Sequence, residues 1–503
     1  MVQGHGKLVE LMGDPIFTND AAAGRGAGAG AAHAEAEEAI DPRWRGSGRL
    51  RRTFKKRDGI ALIVSNVIGV GIFTTPAIIA GLVPNPMAML ALWLVGGALA
   101  LAGAISYARL ANLWPTAGGE YVYLSKTYGP AAGFLSGWTS LIAGFSGAVA
   151  ASAVAVVLFA GQYFPSLAWD RVLISQDFFG VSVTLSSRTL AAAALIAFFA
   201  VLHICSLAVG KITQSVLALV LVGMIMGFVT RGFATGHGSW SHFHSSGLRF
   251  GPMNWLLALI PVMFTYSGWN AAAYVSEEMH ASRRSMRPVL LGGTGIVIVL
   301  YMVLNVLYLY SMPISQMRST SNVADTTARA LLGAGRNLIT PALIVAILGA
   351  ISAMTIAGPR VYFAMARDGA FIPAFARTSA RFGTPVLAIA LQALWSIVLV
   401  LVGGFEHILM YTGFAIVLSS GAAVAGLFVV QRRGLDAVKR TKLVAPAVFV
   451  VACAAMVVNT VLDASRVAMV GVLLIAAGLP VYALCRRSSS ARLALQPEEM
   501  PAD

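Results

Sequence analysis

What most restricts the fold of this chain is a series of apolar stretches about 20 residues long or longer, the length a helix needs to cross a bilayer. They fall near 59–82, 87–113, 131–162, 188–208, 211–231, 254–277, 287–312, 338–364, 385–403, 407–430, 444–462 and 466–485. Such a series predicts an all-α membrane protein with twelve transmembrane helices, because a helix satisfies its backbone polar groups within its own segment. The loops between the spans are too short to hold a soluble catalytic domain.

Only 11% of residues are charged, against roughly a quarter in soluble domains. The net charge of +15 is not gathered on a basic face, so nucleic acid is not an expected partner. The Lys and Arg side chains sit between apolar segments and read as topology signals. With the N-terminus inside, about 25 of them fall in inner loops and tails and about 8 outside, the bias that marks cytoplasmic loops. A multi-pass plasma-membrane protein with both termini cytoplasmic is therefore expected. Cys205, Cys453 and Cys485 have no metal or redox spacing and read as buried core residues.

The expected organisation is a mostly disordered, basic-ended cytoplasmic tail at 1–57 and a core at 58–430 built from two halves, 58–231 and 254–430. Two peripheral helices at 431–485 and a short cytoplasmic tail at 486–503 follow.

Two spans contain breakers where a helix would be continuous. The first reads SNVIGVGIFTTPAIIAG, with Gly69, Gly71 and Pro76. The sixth reads IPVMFTYSGWNAAAYVSEEM, with Pro261, Ser267, Gly268 and Asn270. Irregular backbone at membrane depth survives only where protein or a watery cavity surrounds it. Interrupted helices five spans apart fit two inverted five-helix repeats, with a ligand held between the breaks. The restarted half-helix offers free N–H groups and a positive dipole end, and the half that stops offers free carbonyls. An α-amino acid, carboxylate and ammonium on adjacent atoms, complements that pair. Close packing of small residues is the competing explanation of the glycines.

These stretches resemble the amino acid-polyamine-organocation transporters, in particular the L-type exchanger branch. NVIGVGIFTTP is similar to that family's first-helix signature, and WPTAGGEYVYLSKTYGPAAGFLSGW (Trp114 to Trp138) to its loop into the third helix. FTYSGWNAAAYVSEEM is similar to the sixth helix, and GPRVYFAMARDGAFIP (Gly358 to Pro373) to the eighth. The resemblance implies a substrate site at Val67, Ile68, Gly69, Val70, Gly71, Phe264, Thr265 and Ser267. Backbone at Val70 and Gly71 would hold the carboxylate; carbonyls near Val67 and on the sixth helix would hold the ammonium, with Phe264 as a lid. The side-chain pocket, from Phe264, the Ser140 to Ser146 region and the eighth helix, is expected to carry no charge, which favours neutral amino acids. Some relatives place a Lys in the fifth helix where this chain has Leu221; Lys211, ten residues earlier, reads as a snorkelling or topogenic residue.

Coupling to Na+ or H+ is open, and no other cofactor is expected. Ser352 and Thr355, one turn apart, are a candidate Na+ site; a bond from each hydroxyl to a carbonyl one turn back is the alternative. Glu120 is a candidate gate, paired with Arg109 or the end of the eighth helix. Glu277 and Glu278, beside SRRSMR, are expected in a cytoplasmic salt-bridge network, and Arg360 is expected to anchor the eighth helix to carbonyls or a carboxylate. His237, His242 and His244 share a flexible outer loop that does not fix metal geometry; Glu406 and His407 are expected to be hydrated. An amino acid transporter working by alternating access, not an enzyme, is the leading reading. A carrier of polyamines or cationic substrates and a non-transporting amino acid sensor are the alternatives. No Walker-type loop is present, so gradients or exchange would drive the cycle.

Overall fold

The computed structural model describes residues 50–164, 171–178, 181–244, 250–320, 322–333, 336–379, 381–403, 405–435, 440–463 and 465–494, all within one compact unit, Ser47–Asp503. The tail expected at 1–57 lies outside the described residues as far as residue 49.

The first span is broken where its sequence announces it. Helix α1 (Lys56–Val67) and helix α2 (Gly71–Leu82) form one span bent by 47°. The bend uses no left-handed glycine: Ile68 leaves the helix in an extended conformation (φ −80°, ψ 96°), and Val70 is already helical (φ −61°, ψ −28°). Space explains one of the two glycines. A β-carbon on Gly71 would lie 3.1 Å from the side chain of Thr265 in the sixth span, whereas one on Gly69 would meet nothing within 4 Å.

Helix α3 (Pro86–Leu113) is followed by the short α4 (Glu120–Tyr128) and by α5 (Pro130–Ala160), which contains a π-helical turn at Ser140–Gly144. An antiparallel hairpin, β1 (Val172–Phe178) and β2 (Val181–Ser186), then interrupts the all-helical expectation in the loop before α6 (Ser187–Cys205). Helix α7 (Leu207–Ala234) follows.

The sixth span comes apart into α8 (Pro252–Thr265) and the single turn α9 (Ala271–Tyr274). Gly268 lies between them at φ +104°, a conformation that side chains resist, and a β-carbon there would be 2.9 Å from the Asn66 carbonyl oxygen. Next come α10 (Ser282–Ser311), two short helices, α11 (Ile314–Met317) and α12 (Val323–Leu332), and the long α13 (Arg336–Arg367). The chain ends with α14 (Val386–Val402), α15 (Phe405–Arg432), α16 (Val444–Asp463), α17 (Ser465–Ala476) and α18 (Gly478–Ala494).

Among the described residues nine helices are long and apolar enough to cross a membrane, or ten with the bent first span, rather than twelve. The shortfall has a local cause. The break leaves α8 with 14 residues, and α14 has 17. The last helix also continues past residue 485 to Ala494.

Burial grades from centre to rim: 78% of the apolar stretch in Ile339–Arg367 is buried, against 22% in Thr441–Leu462 and 17% in Ala468–Arg486. Helix α1 packs against α7, α10 and α13, and α2 against α8, so the broken span is enclosed by other spans. Of the cysteines only Cys453 is buried; Cys205 is exposed because it closes α6 at the edge of the bundle.

Gly268→Ala should cost about 1–3 kcal/mol through its strained φ and lower the thermal midpoint of the detergent-solubilised protein. An unchanged midpoint would contradict the packing described.

Candidate functional site

The two breaks face each other across a cavity of about 360 Å³, within the range of small-molecule sites. Helices α5, α13 and α15 close its sides. Val67, Gly69, Val70, Gly71, Phe264, Thr265, Ser267 and Glu120 all line it; Ile68 does not, because its side chain is fully buried in the core. From α5 come Ser136, Thr139, Ser140, Gly144 and Phe145; Ser140 and Gly144 bound the π-helical turn, where a widened helix often marks a site. Helix α13 adds Ala350 and Met354. Helix α15 adds Gly413, Ala415, Ile416 and Ser419, which carry no sequence signal of a site.

The backbone polarity follows from the breaks. Gly71 and Ile72 open α2, so their N–H groups have no carbonyl one turn back within the helix. On the other side, carbonyls freed by α1 and α8 converge on a residue the sequence did not single out. The Tyr301 hydroxyl, from α10, lies 2.9 Å from the Val67 carbonyl oxygen and 3.0 Å from that of Thr265. Its one hydrogen serves one of them at a time, and each carbonyl keeps a lone pair for another donor. The Phe264 carbonyl accepts from the Ser267 N–H at 3.0 Å. Phe264 itself is 54% exposed, lining the cavity without sealing it.

The cavity is not free of charge. Glu120, at the start of α4, is the one charged residue among the described residues that line it; the walls expected to be uncharged, from Phe264, Ser140 and α13, carry none. Nor does Glu120 pair with Arg109 or the end of α13. It accepts hydrogen bonds from the Tyr107 hydroxyl (2.7 Å), Asn270 Nδ2 (2.8 Å) and the Tyr274 hydroxyl (2.9 Å). Arg109 instead donates to the Lys442 carbonyl at 3.2 Å.

Beneath the cavity stands a second, ionic layer. Glu278 and Arg360, both fully buried, form a two-pronged pair at 2.8 and 3.0 Å, and Arg360 also donates to the Ile356 carbonyl at 2.8 Å. Glu277 binds Arg367 at 2.7 and 2.9 Å and accepts from the Ala117 N–H at 3.1 Å. The partners of these carboxylates thus come from α13 and not from the neighbouring Arg283, Arg284 and Arg287. A strap from the start of the chain adds to this layer: Thr53 and Phe54 N–H both donate to the Glu278 carbonyl at 2.9 Å, and His280 N–H donates to the Phe54 carbonyl. Lys211 Nζ donates to the Thr53 carbonyl at 2.6 Å and lies over the Phe54 ring, so it clamps the strap.

The other candidates are dispersed. Ser352 Oγ is 3.0 Å from His203 Nε2, and the Thr355 hydroxyl donates to the Ile351 carbonyl one turn back; neither lines the cavity. Leu221 is a fully buried core residue. His237 and His242 bond to backbone carbonyls, of Leu331 and of Leu309 and Tyr310 respectively. The side chains of Glu406 and His407 lie outside the described residues.

A multi-pass bundle with two broken helices facing each other across an internal cavity defines the class: a membrane transporter. Residues 58–485 match the amino acid permease family, and the chain belongs to that family, within the amino acid-polyamine-organocation transporters. It is 27% identical over 379 residues to the serine/threonine exchanger SteT of Bacillus subtilis, covering 74% of this chain and 82% of that protein. It is 25% identical over 395 residues to the human b(0,+)-type amino acid transporter 1, covering 77% and 78%. Over 457 residues it is 25% identical to the human large neutral amino acids transporter small subunit 2, covering 87% and 82%.

Removing one member of a buried ion pair strands the other charge, at a cost of about 3–5 kcal/mol. Glu278→Ala and Arg360→Ala should each lower the thermal midpoint strongly, while the apolar exchange Glu278→Leu with Arg360→Met should recover much of the loss. Single variants as stable as the parent would rule the pair out as a structural element.

Proposed function

We propose that this protein carries small neutral L-amino acids across the plasma membrane by alternating access, with both of its termini in the cytoplasm. The observation that carries the reading is the facing of two helix breaks across one cavity, N–H groups of Gly71 and Ile72 on one side and carbonyls of Val67 and Thr265 on the other. Peptide dipoles in that arrangement suit the carboxylate and ammonium of a zwitterion, in surroundings where water competes little. Val70 beside the carboxylate position narrows the site and favours small side chains. The relatives, named for serine and threonine, for b(0,+)-type transport and for large neutral amino acids, support the class of cargo.

Substrate would enter past Phe264, and the layer of Glu277, Glu278, Arg360 and Arg367 would bar the cytoplasmic side until the lower half of the sixth span moves. In this reading the protein moves its cargo unchanged and is not an enzyme. A second reading, a carrier of cationic amino acids or polyamines, draws on the carboxylate of Glu120 at the cavity wall. The three donors already on that carboxylate weigh against it.

Uptake of a panel of labelled amino acids and polyamines into proteoliposomes tests both readings. Neutral amino acids should be taken up and should compete with one another; uptake of polyamines alone would remove the carboxylate-binding role of α2. Gly71→Leu should abolish uptake while the protein remains folded by size-exclusion profile, since its side chain would press on Thr265. Wild-type uptake by a correctly inserted variant would contradict that role.

A further inference from the structure

Glu120 combines features that a purely structural carboxylate does not need. It lines the cavity, yet is only 4% exposed. It has three hydrogen-bond donors and, among the described residues, no salt-bridge cation. The carboxylate groups beside it in the sixth span, Glu277 and Glu278, are by contrast both neutralised by arginine. A negative charge placed in a low-dielectric interior without a counter-charge is costly, and taking up a proton relieves that cost.

The donors are arranged so that either form can be held. Asn270 Nδ2 is an obligate donor, and with the Tyr107 hydroxyl it fixes Oε1 as an acceptor. Among the described residues Oε2 meets only the hydroxyl of Tyr274, at 2.9 Å. A hydroxyl can donate or accept, so a proton on Oε2 needs no rearrangement beyond rotation of the Tyr274 O–H. We propose that Glu120 is a proton-binding site of the transport cycle, loaded on Oε2 from water in the cavity while the cytoplasmic side is closed, and emptied when the inner half opens. The step makes one O–H bond, breaks one in the donating hydronium ion and leaves the carboxyl neutral.

The surroundings give the sign. Glu120 lies between α3 and α5, outside both membrane-spanning helices; burial raises its carboxyl above the ordinary value of 4.5, with the bonds from Tyr107, Tyr274 and Asn270 pulling less strongly the other way. Opening to cytoplasmic water would remove the burial and lower proton affinity, which is the order of affinities that a carrier loading outside and unloading inside requires. By the same linkage the proton favours the closed inner side. The titratable groups around Glu120 are Tyr107, Tyr123 and Tyr274. Asp368 accepts from Tyr121 on α4, Arg367 pairs with Glu277, and Arg360 pairs with Glu278. Two of the three donors, Asn270 and Tyr274, belong to the broken sixth span, so the site is tied to the part that must move.

The inference rests on the amino acid transport reading, and the test separates them. Proteoliposomes are given a labelled neutral amino acid, L-serine, L-alanine or L-leucine, with and without an acid-outside gradient, and a pH dye is enclosed in the lumen. Wild-type uptake should rise several-fold with the gradient and acidify the lumen. Above the pKa of the site each pH unit should reduce loading by up to about tenfold. E120Q should lose the gradient response and the lumenal acidification, with a flat pH profile at whatever rate remains; E120D should keep the response with a displaced midpoint. An unaltered pH profile in E120Q, or a wild type whose uptake ignores the gradient and leaves the lumenal pH unchanged, would overturn the proposal. Acid-minus-neutral infrared difference spectra of the purified protein give an arm independent of transport. A protonated-carboxyl band present in wild type and absent in E120Q supports the site, and identical spectra overturn it. Should no amino acid enter the liposomes, the transport reading fails on its own while the infrared spectra still decide the protonation of Glu120.

Discussion

The constraint on which the rest of the structure depends is that a peptide group cannot stand unpaired in hydrocarbon without a cost of several kcal/mol. A chain that breaks two of its spans at membrane depth must surround the broken ends with something polar. Here the surroundings are the other break, a cavity, and one tyrosine. Tyr301 meets the carbonyls at the ends of both interrupted helices, and by doing so ties α1 to α8 through a third element, α10. The N–H groups at the start of α2 receive no such internal partner from their own helix. That asymmetry, carbonyls partly covered and N–H groups open, is what gives the cavity a polarity before any side chain is considered.

Side chains then divide the region into layers. Around the breaks the walls are mostly small or apolar, with hydroxyls from α5; beneath them lies the Glu120 network; beneath that come the arginine pairs of Glu277 and Glu278. Charge is therefore neutralised farther from the cavity by partners from α13 and left to hydrogen bonds at its wall. The Arg360 pair is fully buried and two-pronged, so it is stable only as a pair.

Much of this was legible in the residues. The breakers at Gly69, Gly71, Gly268 and Asn270 announce interrupted helices because membrane spans ordinarily avoid irregular backbone, and the breaks fall where those residues stand, whereas Pro76 is accommodated inside α2. The physical reason differs from the one the sequence suggests. Gly71 serves as a gap for Thr265 and not as a left-handed turn, whereas Gly268 does require its positive φ. What was not legible is long-range. Nothing local in Tyr301 marks it as the cap for two other helices, and the partners of Glu120 come from 13, 150 and 154 residues away. Glu277 and Glu278 stand beside a run of arginines yet choose others 90 and 82 residues on. His203 takes the Ser352 hydroxyl that spacing alone would have offered to a cation. Helix periodicity reports which residues share a face; it does not report which neighbour that face meets.

The strap at Thr53 and Phe54 carries one more implication. Its two N–H groups grip the backbone of Glu278, the same residue whose side chain holds Arg360, and its own carbonyl is pinned by Lys211. Any movement of the Glu278 backbone relative to α7 would therefore have to stretch or break this ribbon, so two elements far apart in sequence are moored to each other by a few main-chain bonds.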